Sequence, residues 1–114
     1  MLGDFNCLLD ISDKINFGHR FQVGLDELSS VFENNGLEDL EYSGAHYTWS
    51  NNQNGRDRVA CKLDKIASNS SWCSLFSDAK AWFATPGLSD HSPGLLCCDP
   101  GVAVKSYPFK FHNY

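Results

Sequence analysis

Three short stretches hold the residues best suited to chemistry: Gly3-Asp4-Phe5-Asn6, Lys62-Leu63-Asp64-Lys65 and Ser89-Asp90-His91. Together they supply carboxylates, an amide and an imidazole. Those groups hold a hard divalent cation and break a phosphate ester. In the first stretch, a strand end running into a loop lets side chains project into a cleft, and Gly3 lets the backbone pass close to a neighbour. Asp4 has the chemistry of a general base for an attacking water. Asn6 can hydrogen-bond a phosphate oxygen or orient that water. The same two residues also suit the plainer task of capping a turn.

Asp90 and His91 are adjacent, and adjacent strand residues face opposite ways. The pair reaches one site only from a loop or bulge, and Pro86-Gly87 just upstream makes a loop the expectation. There His91 would be an imidazolium stabilising charge on a phosphoryl group, with Asp90 a metal ligand. The alternative is a solvated turn with a surface histidine. Asp64 is placed to fix the tautomer of a histidine and favour its charged form. Its alternative is a cross-strand ion pair with Lys62 or Lys65, worth roughly a few tenths of a kcal/mol. His19, His46 and His112 have no partner pattern and read as structural or exposed. Three carboxylates in one cleft repel each other, which is itself a reason to expect a cation there. Mg²⁺, or Mn²⁺ in its place, needs only one or two protein carboxylates because it keeps several waters.

The elements that must position these residues follow from periodicity. Met1 to Phe5 reads as the tail of a strand, and Cys7 to Gly18 as a loop. Leu25, Leu28, Val31 and Phe32 recur at helical spacing and predict a helix over Gln22 to Asn35. Gly36 follows as its left-handed cap, with Leu37 packing back. Tyr47-Thr48-Trp49 predicts a strand, Asn54-Gly55 a hairpin, and Arg58 to Ser68 the returning strand. In that strand Val59, Cys61 and Leu63 share one face, and Arg58, Lys62 and Asp64 the other. Ser71 to Phe76 predicts a short helix with Trp72, Leu75 and Phe76 as its apolar stripe. Ala79 to Ala84 reads as a strand and Leu95 to Cys98 as a final buried one. The expectation is one mixed α/β domain over residues 1–99, with 100–114 a linker or tail.

Composition bounds the rest. A chain of 114 residues, 42% hydrophobic and 20% charged, suits a single core. A formal charge of -5 argues against broad, sequence-independent attraction to nucleic acid. It leaves room for a nuclease, since a bound cation offsets carboxylates locally. Five cysteines, an odd count with Cys97 and Cys98 adjacent, predict a reduced, intracellular setting, nuclear or cytoplasmic. No apolar run is long enough to span a bilayer, and no secretion signal pattern opens the chain.

The order of the motifs resembles the C-terminal half of the endonuclease/exonuclease/phosphatase superfamily, which includes apurinic endonucleases, DNase I, inositol polyphosphate phosphatases and LINE-type retroelement endonucleases. The run Tyr47-Thr48-Trp49-Ser50-Asn51 and the trailing Tyr107-Pro108-Phe109-Lys110-Phe111 are most similar to plant retroelement polyproteins. The resemblance covers about Met1 to Cys98. It implies half of a four-layer DNase I-like sandwich and, ancestrally, Mg²⁺-dependent hydrolysis of a phosphodiester in DNA. By position, Asp4 matches the water-activating aspartate and Asn6 the phosphate-contacting asparagine. Asp64 matches the partner of the catalytic histidine, Asp90 a metal-associated aspartate, and His91 that histidine.

Two departures shape the expectation. Lys62 stands where an arginine is usual, keeping the charge and losing the planar fork. The family's chief metal-ligating glutamate, with an asparagine and a phosphate-contacting tyrosine or histidine, precedes the Gly-Asp-Phe-Asn motif; none precedes Met1. The expected protein is therefore a truncated, retroelement-derived domain with weak cation binding, weak or no DNA binding, and little or no activity. Phe5, Leu8 and the apolar faces around Trp49 and Val59 would lie uncovered. The rival reading is a non-catalytic module that self-associates through that open apolar face. A phosphatase for a highly phosphorylated small substrate ranks lower, because the basic residues such a substrate needs are lacking.

Overall fold

The computed structural model describes residues 1–16 and 25–98. In chain order its strands and helices are β1 (Leu2–Asp4), β2 (Lys14–Ile15), α1 (Leu25–Asn34), β3 (Leu37–Asp39), β4 (Tyr42–Gly44), β5 (Trp49–Ser50), β6 (Ala60–Cys61), β7 (Asp64–Asn69), α2 (Ser70–Leu75), β8 (Lys80–Phe83) and β9 (Gly94–Cys97). The strands form three small sheets, ordered β1-β7-β3, β2-β6-β5 and β4-β8-β9. The class is α+β. The predicted tail outside β9, including Pro100 to Tyr114, lies outside the described residues.

Local chemistry explains the elements that match expectation. The helix ends where Gly36 takes a φ of +57° and its N–H bonds the Glu33 carbonyl at 3.1 Å. Residues 22–24, the predicted first turn, lie outside the described residues. The hairpin pairs Trp49 with Cys61 and Ser50 with Ala60. Its connection is wider than a two-residue turn: a 3-10 turn at Gly55–Asp57 is laced by Asn51, whose side chain bonds the Asp57 carbonyl at 2.8 Å and the Val59 N–H at 3.0 Å. Asn69 caps α2 by accepting from the Trp72 N–H at 2.9 Å.

Four expectations need correcting. The stretch Cys7–Gly18 is not simply loop. Asp10 and Asp13 form a capping box around a 3-10 turn at Ile11–Asp13, and β2 follows. The predicted strand Arg58–Ser68 is two strands in two sheets. It breaks at Lys62-Leu63, where the Lys62 N–H bonds the Asp13 carbonyl at 2.8 Å and the Leu63 N–H bonds the Thr48 hydroxyl at 3.0 Å. These partners replace the ladder while the chain crosses from one sheet to the next. Phe5, Leu8, Trp49 and Val59 are not an uncovered face. Leu8 is buried with Cys61 and Leu63, Trp49 and Val59 pack on that cluster, and Phe5 meets Phe32 edge-on at 6.0 Å. The exposed apolar residues lie elsewhere: Leu75 of the supposed α2 stripe is 78% exposed and Leu95 of the supposed buried strand 51%. β9 is a sheet-edge strand, with Leu96 inward and Leu95 outward.

A second cluster joins two sheets: Ile66 of β7 packs against Ala81 and Phe83 of β8, with Leu40, Tyr42 and Leu96 around them. Gly44 is obligatory beside it. Its φ is +94°, and an added Cβ would lie 2.1 Å from the Phe83 carbonyl oxygen.

The most consequential residues of the core are two lysines. Lys62 is 2% exposed and Lys65 fully buried. Lys62 is ion-paired to Asp39, with its ammonium 4.5 Å above the Tyr42 ring and 5.6 Å from Phe83. Lys65 donates to Asp13 at 3.1 Å and to the Lys62 carbonyl at 2.9 Å. The same Asp13 oxygen, Oδ2, also accepts from the Leu9 and Asp10 N–H groups at 3.1 and 3.3 Å. Burial holds the Lys65 ammonium below its ordinary pKa, with Asp13 opposing that shift. Removing one partner strands the other charge, so Lys65→Met is expected to destabilise the fold by about 3–5 kcal/mol. Urea unfolding of the variant checks this; a loss near zero would show that the ammonium does not stabilise the native state.

Candidate functional site

The site begins at the first residue of β7. In the β1–β7 ladder Asp4 lies opposite Asp64 and Leu2 opposite Ile66. Partners in an antiparallel pair share a face, so Asp4 and Asp64 lie on the face that buries Ile66 against β8. His91 belongs to the connection between β8 and β9, as the adjacency of Asp90 and His91 requires. Its Nδ1 is 3.0 Å from Asp64 Oδ2. Neither cross-strand alternative for Asp64 forms, because Lys62 pairs with Asp39 and Lys65 with Asp13.

Residues 48–50 hold this loop onto the sheets. The Ser92 N–H bonds the Thr48 carbonyl at 2.6 Å and the Ser50 N–H bonds the Asp90 carbonyl at 3.0 Å, with Trp49 and His91 bridged between them. The Thr48 hydroxyl, only 1% exposed, also accepts from the Leu63 and Asp64 N–H groups at 3.0 and 2.9 Å. One side chain thus fixes the start of β7 while its own backbone fixes the histidine loop. The Trp49 indole N–H donates to Asp90 Oδ2 at 2.9 Å. The Ser89 hydroxyl accepts from the His91 N–H at 3.1 Å, bending the loop at the histidine. Thr48, Trp49 and Ser89 escape sequence reasoning about chemistry. The first two read only as strand formers, and Ser89 alone carries a local signal as a turn residue before a histidine.

The charges fit together. The His91 pKa is raised, chiefly by its hydrogen bond to Asp64 against the opposing effect of burial, with further contributions from the charges of Asp64, Asp4 and Asp90. Asp90 is lowered, first by the indole hydrogen bond. Asp4 spends one oxygen on the Asn6 N–H at 2.8 Å, and Asn6 itself sits at a left-handed φ of 51°. That arrangement is the turn-capping role foreseen for the pair. Asp4, Asp64, Asp90 and His91 come together. Asn6 adjoins them through its backbone and is exposed, and its side chain is not tied to the other four.

Of the remaining histidines, His46 is exposed, as expected, and its Nδ1 lies 2.6 Å from the Tyr42 hydroxyl. His19 and His112 lie outside the described residues. All five cysteines are free thiols, Cys97 and Cys98 included.

For a divalent cation, the donor chemistry is right and the donor number small. Asp4 and Asp90 are hard carboxylates, both already hydrogen-bonded within the chain. Among the described residues no group of three or more His, Cys, Asp or Glu is arranged to hold a metal ion. Carboxylate oxygen is the donor type that a water-rich Mg²⁺ takes, with one or two protein ligands. Comparison of the chain with protein-family models, curated proteins and solved structures returns no match.

The raised His91 pKa has a definite sign for stability. The interaction with Asp64 contributes fully below the unfolded histidine value of about 6.5 and is lost as pH rises through the folded value. The stability difference between the wild type and His91→Gln is therefore expected to be larger near pH ~5.5 than near ~8.5. Paired chemical denaturation at both values checks it; a difference independent of pH would contradict the ion pair.

Proposed function

We propose that this chain carries the histidine–aspartate part of a phosphodiesterase site of endonuclease/exonuclease/phosphatase type, within a partial DNase I-like sandwich derived from a retroelement endonuclease. One observation carries the reading: Asp64 holds His91 at 3.0 Å while Asp4 lies opposite Asp64 across the β1–β7 ladder. In this reading Asp4 takes a proton from the attacking water. The water oxygen bonds phosphorus as the bond to the leaving oxygen breaks, and that oxygen is protonated from solvent. His91, kept as imidazolium by Asp64, stabilises the charge that builds on the phosphoryl oxygens. Asn6 bonds one of those oxygens. Asp90 and Asp4 are the residues that would hold Mg²⁺ or Mn²⁺, which when bound neutralises phosphoryl charge and lowers the pKa of water. DNA is the substrate of the ancestral enzyme, bound weakly or not at all by this chain.

Two open carboxylates hold a cation weakly, so the 114-residue chain is expected to nick supercoiled plasmid little or not at all in Mg²⁺. Nicking that vanishes in Asp4→Ala and His91→Ala would overturn the expected inactivity and establish the enzyme. The site itself is read separately: dimethyl phosphate with Mg²⁺ is expected to shift the His91 ring signals in the wild type and not in Asp64→Asn. Unmoved wild-type signals would sink the phosphodiester reading.

A second reading rests on a different observation. Trp82 and Leu95 are partners in the β8–β9 ladder, 45% and 51% exposed on its outer face. Leu88, in the connection between these strands, is fully exposed. An apolar patch that reaches the edge strand β9 favours self-association, with no catalytic role required. Size-exclusion chromatography with light scattering is expected to show the wild type larger than monomer and Trp82→Lys shifted toward monomer. A monomeric wild type would dismiss this reading.

A further inference from the structure

The outer face of the β4-β8-β9 sheet carries charge as well as apolar surface, and the ladders fix where each falls. Trp82 lies between Ser43 on β4 and Leu95 on β9. Lys80, two residues earlier on the same face, lies opposite Cys97 and in line with Glu41, the residue before β4. All six residues are exposed, while Tyr42, Ala81, Phe83 and Leu96 between them belong to the buried cluster. The Trp82 indole leans over β4, where a Cβ added to Gly44 would lie 2.7 Å from its Nε1. The absent side chain of Gly44 therefore lets the ring lie toward the middle of the face.

This face is complementary to itself. Glu41 and Lys80 share one row, and among the described residues neither forms an ion pair within the chain. The face is neutral although the whole chain carries a formal -5, so two copies that repel elsewhere do not repel here. A two-fold axis along the strands, between β4 and β8, sets Glu41 against the partner's Lys80 and, by the same operation, Lys80 against the partner's Glu41. The two Trp82 rings then meet near the axis, where a desolvated aromatic side chain contributes most to binding. The partner's Leu95 passes the free edge of β4, toward a cavity of about 400 Å³ lined there by Ser43, Cys73 and Phe76.

We propose that the outer face of β4, β8 and β9 is a homodimer interface: two copies of this chain pack face to face about a two-fold axis, with Trp82 at the centre and Glu41 paired with Lys80 across it. The inference rests on the self-association reading and adds to it the partner, the symmetry and the charges that select it.

Sedimentation equilibrium of the full chain is expected to show a dimer and no larger species, because a two-fold contact closes on itself. Glu41→Lys and Lys80→Glu each turn two attractions across the dimer into repulsions, and each is expected to raise the dimer Kd about tenfold. An equimolar mixture of the two variants is expected to restore the dimer, since one chain then presents two positive charges and the other two negative ones. Both residues are exposed and make no ion pair within the chain, and recovery on mixing requires that both variants be folded. Wild-type dimerisation in both single variants overturns the inference, as does a mixture no tighter than its components. Assembly beyond a dimer, the mark of open-ended growth through the β9 edge, also overturns it. Self-association itself survives those results if Trp82→Lys is still monomeric, whereas a monomeric wild type overturns both.

Discussion

The strand β7 has both faces covered, and that constraint organises the molecule. A strand buried on both sides ordinarily carries an unbroken apolar run. This one begins Asp64-Lys65-Ile66, just after Lys62, so two ammonium groups enter the interior with it. Buried charge is tolerated only when paired and hydrogen-bonded. Asp39, the last residue of β3, and Asp13, in the 3-10 turn before β2, meet that demand. Each pair also ties β7 or its approach to a distant part of the chain, so the arrangement of the sheets and the neutralisation of the lysines are one condition. The aromatic rings over Lys62 add a polarisable lining that an aliphatic core would lack.

The candidate site inherits its geometry from that strand. Asp64 is where β7 starts, Asp4 is its ladder partner, and the Thr48 hydroxyl holds the local backbone. His91 arrives on a loop yet is not loosely placed, because hydrogen bonds through residues 48–50 brace it. Each of the three carboxylates is committed through one oxygen to a different kind of donor: an imidazole, a backbone amide and an indole. The repulsion among them is offset by the histidine and by these donors. This is an economical way to keep a concentrated negative field on a short chain.

The outer face of β8 and β9 follows the opposite logic. Trp82 and Leu95 sit side by side with no layer of described residues over them, although the same strands bury Ala81, Phe83 and Leu96 on their inner face. Strand alternation makes the two outcomes inseparable: a strand that buries one set must present the other.

The sequence by itself determined what depends on near neighbours. The helix period and Gly36 set α1 and its end. Asn54-Gly55 marked the hairpin, and the adjacency of Asp90 and His91 required a loop. These are decided by bond rotations and pairings within a few residues. Only the tertiary structure decided the rest. Lys62 and Lys65 read as cross-strand partners for Asp64 because nothing adjacent in the chain shows that Asp39 and Asp13, more than twenty and fifty residues away, will meet them. The strand split at Lys62-Leu63 depends on hydrogen-bond partners supplied by Asp13 and Thr48. The indole of Trp49 became a donor to Asp90 across 41 positions of chain. Burial and long-range hydrogen bonding are properties of the assembled chain, so no local pattern announces them.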